Sequence, residues 1–363
     1  MAFLEASDRE RFHFAAACPL PSALGDALGK LRVERFDVRF GRPRRRLGLE
    51  LLSEGTQVLR AAGRLQKVMR EFRPDLVDAN TTLGGLHAVL AMRGCSLPLV
   101  WHVRDLKPTG LAGRIIARRA GAVLPVSQAV ASRLARDGMD ASKVHVIHNG
   151  IDPERFRPLL DSRQVRQKFN LPSDAPLVAV VGQLTPWKGH DVLLRAWGEL
   201  RRRSSRAVLL IVGSALWHDD AKWEDRLKSL ADNLRLEGSV RFLWRQSDVA
   251  SIVGAASILV VPSLAEPFGR VALEAMALSK PVVGTNAGGL PEVVADGVTG
   301  VLVPPGDAQA LADAMERVLT DAQLAERLGR AGAARVRESF HIDRTAALSQ
   351  DIYGRLLQSW GGQ

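Results

Sequence analysis

Cysteine is scarce in this sequence, and long hydrophobic runs are lacking. The two cysteines, Cys18 and Cys95, are far apart among 363 residues. They fit no disulfide or metal-binding pattern, which indicates a reducing compartment. The longest uncharged stretch, residues 249–265, contains Gly, Pro and several Ser and is too short to span a bilayer. Met1 leads into a charged segment instead of an apolar one, so we expect no signal peptide. These features predict a cytoplasmic protein.

Aromatic residues are also few, at 5% of the chain. They are not interleaved with basic residues and no recognition motif appears, so we expect no nucleic-acid partner. The formal net charge of +11 is concentrated in residues 1–160, which hold 26 Lys and Arg against 16 Asp and Glu. A basic cluster there consists of Arg42, Arg44, Arg45 and Arg46. Two interpretations stay open: a solvated surface, or a face that meets the inner face of an anionic membrane or a lipid-diphosphate acceptor.

Strand and helix patterns alternate along the whole chain. Short apolar runs predict strands, which in the first half cover residues 12–17, 33–40, 76–79, 99–103, 122–126 and 144–147. In the second half they cover residues 177–181, 208–213, 240–243, 257–261, 281–284 and 300–305. Amphipathic segments predict helices over residues 21–31, 49–72, 84–93, 112–120, 127–137, 191–200, 270–279, 307–319, 322–340 and 341–360. Repeated strand–helix units predict an α/β fold of parallel sheets with helices on both faces.

The length of the chain and one charged segment predict two domains. At 363 residues, two domains of ordinary size are expected. Residues 152–173 hold three prolines and many charges, which indicates a linker. We therefore predict a first domain over residues 1–158 and a second over residues 159–340.

The most informative stretch is residues 261–291, which joins a predicted strand, a loop, a helix and a second strand. Backbone N–H groups at the start of a helix that follows a parallel strand form a phosphate site. Gly269 allows close approach of a ligand, and Arg270 adds a positive charge. Glu266 in the loop and Glu274 in the second turn of the helix would repel phosphate, but they are suited to accept hydrogen bonds from hydroxyl groups. Together these residues predict a site for a nucleotide diphospho-sugar.

Three further positions are candidate site residues. Lys188 lies in the loop after a predicted strand and just before a helix, where an anion would be held. His102 ends another strand; a histidine there is often structural, but the carboxyl end of a parallel strand is where ligands bind. Asn149 lies in a segment that suits a tight turn, for which a structural role is sufficient. Asp219 and Asp220 lie in a polar loop with the wrong spacing for a metal-binding motif, so we predict no metal site.

Around these residues the sequence resembles the retaining GT-B glycosyltransferases of family 4, also called group 1. Glu266 and Glu274 match the family's E-x7-E motif, within P-S-x-x-E-P-F-G-x-x-x-L-E-A-M-A followed by G-G-L-P-E. The resemblance covers essentially the whole chain, and its most specific motifs lie in the second half. It implies two Rossmann-like domains facing a central cleft, with a final helix within residues 341–363 that packs back on the first domain.

The resemblance also implies roles in donor binding. The first Glu of the motif, Glu266, contacts the transferred sugar, and the second, Glu274, contacts the nucleotide ribose. The backbone amides of Phe268 and Gly269 hold the diphosphate, beside Arg270.

Three other segments complete the implied site. Lys188 belongs to a loop similar to the family's GRL…KG, which neutralises the diphosphate, but Gln183 stands where that motif has Arg. This departure leaves Lys188 and Arg270 to balance the charge of the leaving group. His102, in an H-x-x-D segment, reaches the donor sugar, and Asn149 belongs to the family's NGID segment at the domain junction.

The implied activity is the transfer of a sugar from a UDP- or GDP-linked donor to a hydroxyl group of a glycan or lipid-linked acceptor. The family implies retention at the anomeric carbon, with no cofactor and no metal. Two other functions stay open. One is a non-catalytic nucleotide-sugar-binding protein derived from a transferase, which Gln183 favours. The other is a nucleotide-sugar epimerase, a GT-B class that lacks the E-P-F-G-x-x-x-L-E segment.

The beginning of the chain differs from the family pattern. The family fold opens with a strand, a Gly-rich loop and a helix, and that strand lies at the centre of the first sheet. Residues 1–12 resemble only the end of that helix and the turn after it. We therefore expect the first sheet to lack its first strand, and the chain as written to be inactive or poorly soluble.

Overall fold

The computed structural model describes residues 1–41, 49–203, 206–215 and 218–360. They form two compact units, Met1–Gly150 with Ile342–Gln363, and Ile151–His341. The predicted basic cluster of Arg42, Arg44, Arg45 and Arg46 lies outside the described residues. Of the helices in the described ranges, none combines the length and the apolar character that a membrane span requires.

The strands of the first unit form two parallel sheets. β1 (Ala15–Cys18) pairs with β2 (Glu34–Asp37), and β3 (Val77–Ala79), β4 (Leu99–Val103) and β5 (Ala122–Pro125) form a three-stranded sheet in that order. The helices are α1 (Ala2–Ala6), α2 (Ala23–Lys30), α3 (Leu49–Phe72), α4 (Thr82–Ala91), α5 (Gly110–Arg119) and α6 (Gln128–Arg136). β4 lies at the centre of the larger sheet and is buried along its whole length, because its sequence is an apolar run.

Local signals in the first unit account for some boundaries and not for others. The Ser127 hydroxyl accepts a hydrogen bond from the Val130 amide at 3.1 Å and so caps α6. The strand predicted at residues 144–147 is reduced to a parallel bridge between Val144 and Val123 of β5, beside which the His145 and Ile147 amides donate to the Val123 and Pro125 carbonyls at 2.9 and 3.0 Å. On α3, Leu59 is 60% exposed, whereas Met69 is buried. Their separation of ten positions is about 2.8 helical turns, so the two side chains lie on different faces.

The second unit contains a six-stranded parallel sheet. Its strands are β6 (Leu177–Val181), β7 (Val208–Val212), β8 (Val240–Phe242), β9 (Ile258–Val261), β10 (Val282–Thr285) and β11 (Gly300–Val303). Its helices are α7 (Ser162–Lys168), α8 (His190–Arg202), α9 (His218–Asn233), α10 (Val249–Ala255), α11 (Arg270–Ala277), α12 (Leu290–Val293), α13 (Ala308–Thr320) and α14 (Ala322–Ser339). The last helix, α15 (Ile342–Trp360), belongs to the first unit.

The order of the strands in this sheet is β11-β10-β9-β6-β7-β8. The chain runs outward from β6 to β8, returns to β9 on the other side of β6, and runs outward again to β11. Helix α8, after β6, packs with α9 and α13, whereas α11, after β9, packs with α10 and α14. The helices therefore cover both faces, and the predicted α/β fold is confirmed. In such sheets the crevice at the reversal point, here between β6 and β9, is where ligands bind.

The predicted linker over residues 152–173 is not a simple linker. It contains α7, which begins with a capping box between Asp161 and Gln164. Val165 of this helix is fully buried against the second unit's sheet. Of the charged residues in the segment, only Arg163, Arg166 and Lys168 lie on this short helix, and the others precede it.

Candidate functional site

A cavity of about 70 Å³ opens at the carboxyl ends of β6 and β9. A cavity needs ~10–15 Å³ to hold one water molecule, so this cavity has room for several. Its apolar floor comes from the two strand ends, and its polar wall consists of Lys188, His190, Ser263, Glu266 and Arg270. His190 and Arg270 are the first residues of α8 and α11. The N-termini of two helices therefore meet the cavity, and both favour negative charge.

Lys188 and Glu266 form a buried ion pair in the wall of this cavity. Lys188 Nζ lies 2.7 Å from Glu266 Oε2, and the two side chains are only 15% and 8% exposed. The Ser263 hydroxyl donates a second hydrogen bond, of 2.9 Å, to the same carboxylate oxygen. Lys188 Nζ also lies 4.4 Å from the centre of the Trp187 ring. Since an ammonium group has three donors, this pairing holds Lys188 in place and leaves donors for a ligand.

Backbone hydrogen bonds hold the two loops of the site together. The Leu264 amide donates to the Trp187 carbonyl at 2.8 Å, which joins the loop after β9 to the loop after β6. The Gly289 amide donates to the Glu266 carbonyl at 2.7 Å. The Thr285 hydroxyl, at the end of β10, donates to the Ser263 carbonyl at 2.5 Å. The position of Glu266 is thus fixed from three neighbouring segments.

The start of α11 depends on a glycine. Gly269 has φ +102°, and a Cβ atom there would lie 2.6 Å from Leu290 Cδ1. Next to it, Arg270 is 71% exposed and lies 3.5 Å from Glu274 one turn later. At this exposure the ion pair contributes little to stability. Arg270 is therefore placed to meet a ligand at the cavity mouth.

Glu274 and Phe268 lie deeper in the second unit. Burial raises the pKa of Glu274, and the charge of Arg270 opposes that rise only in part. Glu274 is not among the residues that line the cavity. Phe268 is buried and packs edge-on against Phe340, with 6.0 Å between ring centres.

His102 lies in a polar cluster of the first unit. Its Nε2 is 3.2 Å from Asp78 Oδ2, at the end of the neighbouring strand β3. The Tyr353 hydroxyl of α15 donates to the same oxygen. Burial alone would raise the pKa of Asp78, but His102, Tyr353 and Arg104 together hold it below its ordinary value. Asp78 thereby fixes the orientation of the His102 ring.

Asn149 belongs to the same unit. Its Oδ1 accepts a hydrogen bond of 2.8 Å from Arg104, whose guanidinium also donates to Asn80 at 3.0 Å. Arg104 follows β4 and Asn80 follows β3. The carboxyl ends of these strands thus carry a connected set of polar side chains. In parallel sheets, ligands bind at these strand ends.

The structure brings together four of the predicted residues, Lys188, Glu266, Gly269 and Arg270, at one cavity. Phe268 and Glu274 flank it, on the loop and on α11. Gln183 lies on the loop after β6 but does not line the cavity. His102 and Asn149 belong to the other unit.

Sequence reasoning missed three residues of these sites, His190, Ser263 and Tyr353. His190 follows directly after the predicted Lys188 loop, and Ser263 belongs to the quoted motif, so both had a positional signal. Tyr353 is the only tyrosine of the chain and lies on the buried side of the predicted last helix. Its partner Asp78 is 275 positions away, and no local pattern connects them.

Two family models match the chain. One, described as Glycosyl transferases group 1, matches residues 161–335, which include the cavity and Glu274. The other, described as Glycosyltransferase Family 4, matches residues 23–155, which include His102 and Asn149.

Curated relatives cover most of the chain. The D-inositol 3-phosphate glycosyltransferase of Streptomyces coelicolor is 34% identical over an alignment of 321 positions, which covers 79% of this chain and 70% of the relative. The protein of the same name from Streptomyces bingchenggensis is 35% identical over an alignment of 297 positions, which covers 80% of this chain and 63% of the relative. The chain thus spans less than two thirds of the length of the second relative.

A solved structure has the same fold. The crystal structure of HepE from Anabaena in complex with UDP-glucose superimposes with a TM-score of 0.82 and 25% sequence identity. The match covers 98% of this chain and 95% of the Anabaena chain.

Proposed function

The chain belongs to the group 1 glycosyltransferases of the GT-B fold, and from this premise we propose that it transfers a sugar from a nucleoside-diphosphate sugar to a hydroxyl group, with retention of the anomeric configuration. One observation carries the proposal. At the reversal point of the second unit's sheet, the N-termini of α8 and α11, the Lys188 ammonium and the Glu266 carboxylate share one cavity. Such a cavity offers positive charge to a diphosphate and a hydrogen-bond acceptor to a sugar hydroxyl.

In the proposed reaction the acceptor oxygen forms a bond to the anomeric carbon while the bond from that carbon to the diphosphate oxygen breaks. The leaving diphosphate keeps the bonding electron pair and takes the proton of the acceptor hydroxyl. No protein base is needed. The protein's contribution is to hold the two substrates together and to stabilise the negative charge that grows on the leaving group.

Lys188 and Arg270 supply the stabilising charge in this scheme. Glu266 already holds the Lys188 ammonium within 2.7 Å, so the charge is in position before the donor arrives. A charge fixed in a largely water-excluded site stabilises a developing anion more strongly than a mobile one in water. The amides of Phe268 and Gly269 would bind the same diphosphate. Because cationic side chains balance the leaving group, we propose that transfer needs no metal ion.

The remaining polar residues would orient the donor. Glu266 Oε2 accepts both bonds from Lys188 and Ser263, and Oε1 accepts none in the described part of the chain. We assign Oε1 to a hydroxyl of the transferred sugar and Glu274 to the nucleotide ribose. We assign to His102, which Asp78 holds in place, a contact with the donor sugar.

For the donor we propose a UDP- or GDP-linked sugar, with UDP-linked sugars to be tested first because the Anabaena neighbour was crystallised with UDP-glucose. For the acceptor we propose a hydroxyl group of a glycan or a lipid-linked molecule. The relatives named D-inositol 3-phosphate glycosyltransferase and the basic character of residues 1–160 both support an acceptor with negative charge. The free thiols of Cys18 and Cys95 fit the reducing cytoplasm.

A donor screen tests this function. Thermal unfolding of the purified chain would be followed with UDP-, GDP- and ADP-linked sugars, and a stabilising donor would then be incubated with candidate acceptors. We expect release of the nucleoside diphosphate and a product with the anomeric configuration of the donor, read by NMR with and without a chelator. An inverted product, or loss of turnover on chelation, would contradict the proposed mechanism.

The second candidate is a non-catalytic nucleotide-sugar-binding protein, and Gln183 is the observation that favours it. Here Gln183 replaces a cation that the family uses against the diphosphate. Binding and turnover must therefore be measured separately. A nucleotide sugar that stabilises the fold but is neither transferred nor hydrolysed would establish this alternative.

A further inference from the structure

Unsatisfied polar atoms are concentrated beside the proposed donor site. Eight buried side-chain nitrogen and oxygen atoms have no hydrogen-bond partner in the described part of the chain. Four of these atoms belong to Thr185, His190 and Asp191, in the loop after β6 and the first turn of α8. Buried polar atoms are nearly always hydrogen-bonded in folded proteins, so such a group calls for a ligand or another explanation.

His190 is the member of this group that lines the cavity. It is only 1% exposed, and neither Nδ1 nor Nε2 has a partner among the described residues. An imidazole ring always carries at least one N–H donor. His190 therefore carries an unsatisfied buried donor in the wall of a cavity whose other polar residues include Lys188 and Arg270.

The charge of the His190 ring is set by its surroundings. Burial, with a smaller contribution from the charge of Lys188, lowers its pKa to about 3. The ring is therefore neutral at physiological pH, with one nitrogen as donor and the other as acceptor. A neutral N–H can bind an anion without adding a second buried cation beside Lys188, which would be costly.

We propose that His190 is a donor-binding residue whose imidazole N–H donates a hydrogen bond to a phosphate oxygen of the nucleoside diphosphate. The inference rests on the proposed function and extends it to a residue outside the family motif that predicted the site. His190 is the first residue of α8, so its backbone and side chain would face the same phosphate. Lys188, two residues before His190, and Arg270, the first residue of α11, line the same cavity. The phosphate would therefore be held between the N-termini of two helices.

The test replaces the ring nitrogens and keeps the shape of the side chain. Binding of UDP, or of the nucleoside diphosphate that the donor screen selects, would be measured by calorimetry for the wild type and for His190→Phe. The matching nucleoside without phosphates would be measured in parallel. We expect the diphosphate affinity to fall by about ten- to hundredfold, the range of one hydrogen bond to a charged group, and the nucleoside affinity to stay the same.

A second variant covers the case in which His190→Phe fails to fold. His190→Gln keeps an N–H donor, and we expect it to retain more diphosphate affinity than His190→Leu. The matched control is His87→Phe: His87 is also fully buried and its Nε2 has no partner among the described residues, but it lies in α4 of the first unit. This control should leave diphosphate affinity unchanged.

The outcomes separate this inference from the proposed function. Wild-type diphosphate affinity in His190→Phe, or equal losses for the diphosphate and the nucleoside, would overturn the role of His190 and leave the proposed function intact. If the wild type binds no nucleoside diphosphate at all, both are overturned.

Discussion

Gly189 approaches Pro262 so closely that a Cβ atom on Gly189 would lie 2.0 Å from the Pro262 carbonyl oxygen. Gly189 has φ +68°, a left-handed conformation that glycine adopts without strain. It stands between Lys188 and His190, whereas Pro262 ends β9. The loop that carries the cation of the site therefore rests directly on the loop that carries Glu266, and only glycine permits this contact.

Gly189→Ala should consequently disturb both stability and activity. The left-handed conformation alone costs ~1–2 kcal/mol for a residue with a side chain, and the contact with Pro262 adds to this. The matched control is Gly238→Ala, at φ +79° with no atom of the described residues within 4 Å of the added Cβ. Urea unfolding should show a larger loss for Gly189→Ala than for Gly238→Ala, and only the former should lose turnover. Equal losses in the two variants would contradict the close contact.

Lys188→Met should cut turnover by ~10²-fold or more, the usual effect of removing one electrostatic group from a catalytic site. It should also destabilise the fold by ~3–5 kcal/mol, because Glu266 would remain buried without its partner. The double variant with Glu266→Gln should regain stability but not turnover, which separates the two effects. Lys228→Met is the control, because Lys228 also lies over a tryptophan and pairs with a glutamate but is 41% exposed.

If the double variant regained turnover along with stability, Lys188 would act only in holding the fold. If Lys228→Met lost as much turnover as Lys188→Met, the effect would not be specific to the cavity.

Much of the fold follows from local sequence. The strands over residues 99–103 and 177–181 and the helix over residues 49–72 have the predicted bounds. Lys188 and Glu266 were each predicted from their position at the end of a strand, and the sheet order brings those two ends together. Their direct pairing was not predicted, since 78 positions separate them.

What could not be predicted depends on packing between distant segments. Leu348 has the spacing of an apolar stripe on α15 but is 43% exposed, because the buried side of that helix runs through Ala346, Ser349 and Tyr353. The Asp78–Tyr353 contact likewise depends on where α15 packs in the first unit. The unsatisfied nitrogens of His190 are a property of its burial, and the residue type alone gives no sign of them.

Asp78→Asn should destabilise the first unit in a pH-dependent manner. The pKa of Asp78 is lower in the fold than its ordinary value of 3.8, so its ionised form stabilises the folded state. This stabilisation is present above pH 3.8 and is lost as the pH falls through the lowered pKa. Urea unfolding should show a deficit of ~1.5–3 kcal/mol at pH 7, the range for hydrogen bonds to a charged group, which shrinks in acid.

Tyr353→Phe, which removes one donor to Asp78, should show a smaller loss. A deficit of Asp78→Asn that is the same at pH 7 and in acid would mean that the charge of Asp78 does not stabilise the fold.

Glu274→Gln should make the protein more stable and a poorer nucleotide binder. Because burial raises the pKa of Glu274 above its ordinary value of 4.5, the folded state binds this proton more tightly than the unfolded state. The resulting stabilisation is complete below pH 4.5 and is lost as the pH rises through the raised pKa, beyond which the buried carboxylate opposes folding. Glutamine stays neutral throughout. The stability gain of Glu274→Gln should therefore be smallest near pH 4 and grow toward pH 7, as measured by urea unfolding across that range.

Nucleotide affinity at pH 7 should fall by ~1.5–3 kcal/mol if the carboxylate binds the ribose. A stability difference that is constant with pH would rule out the buried charge, whereas unchanged affinity would remove Glu274 from the donor site.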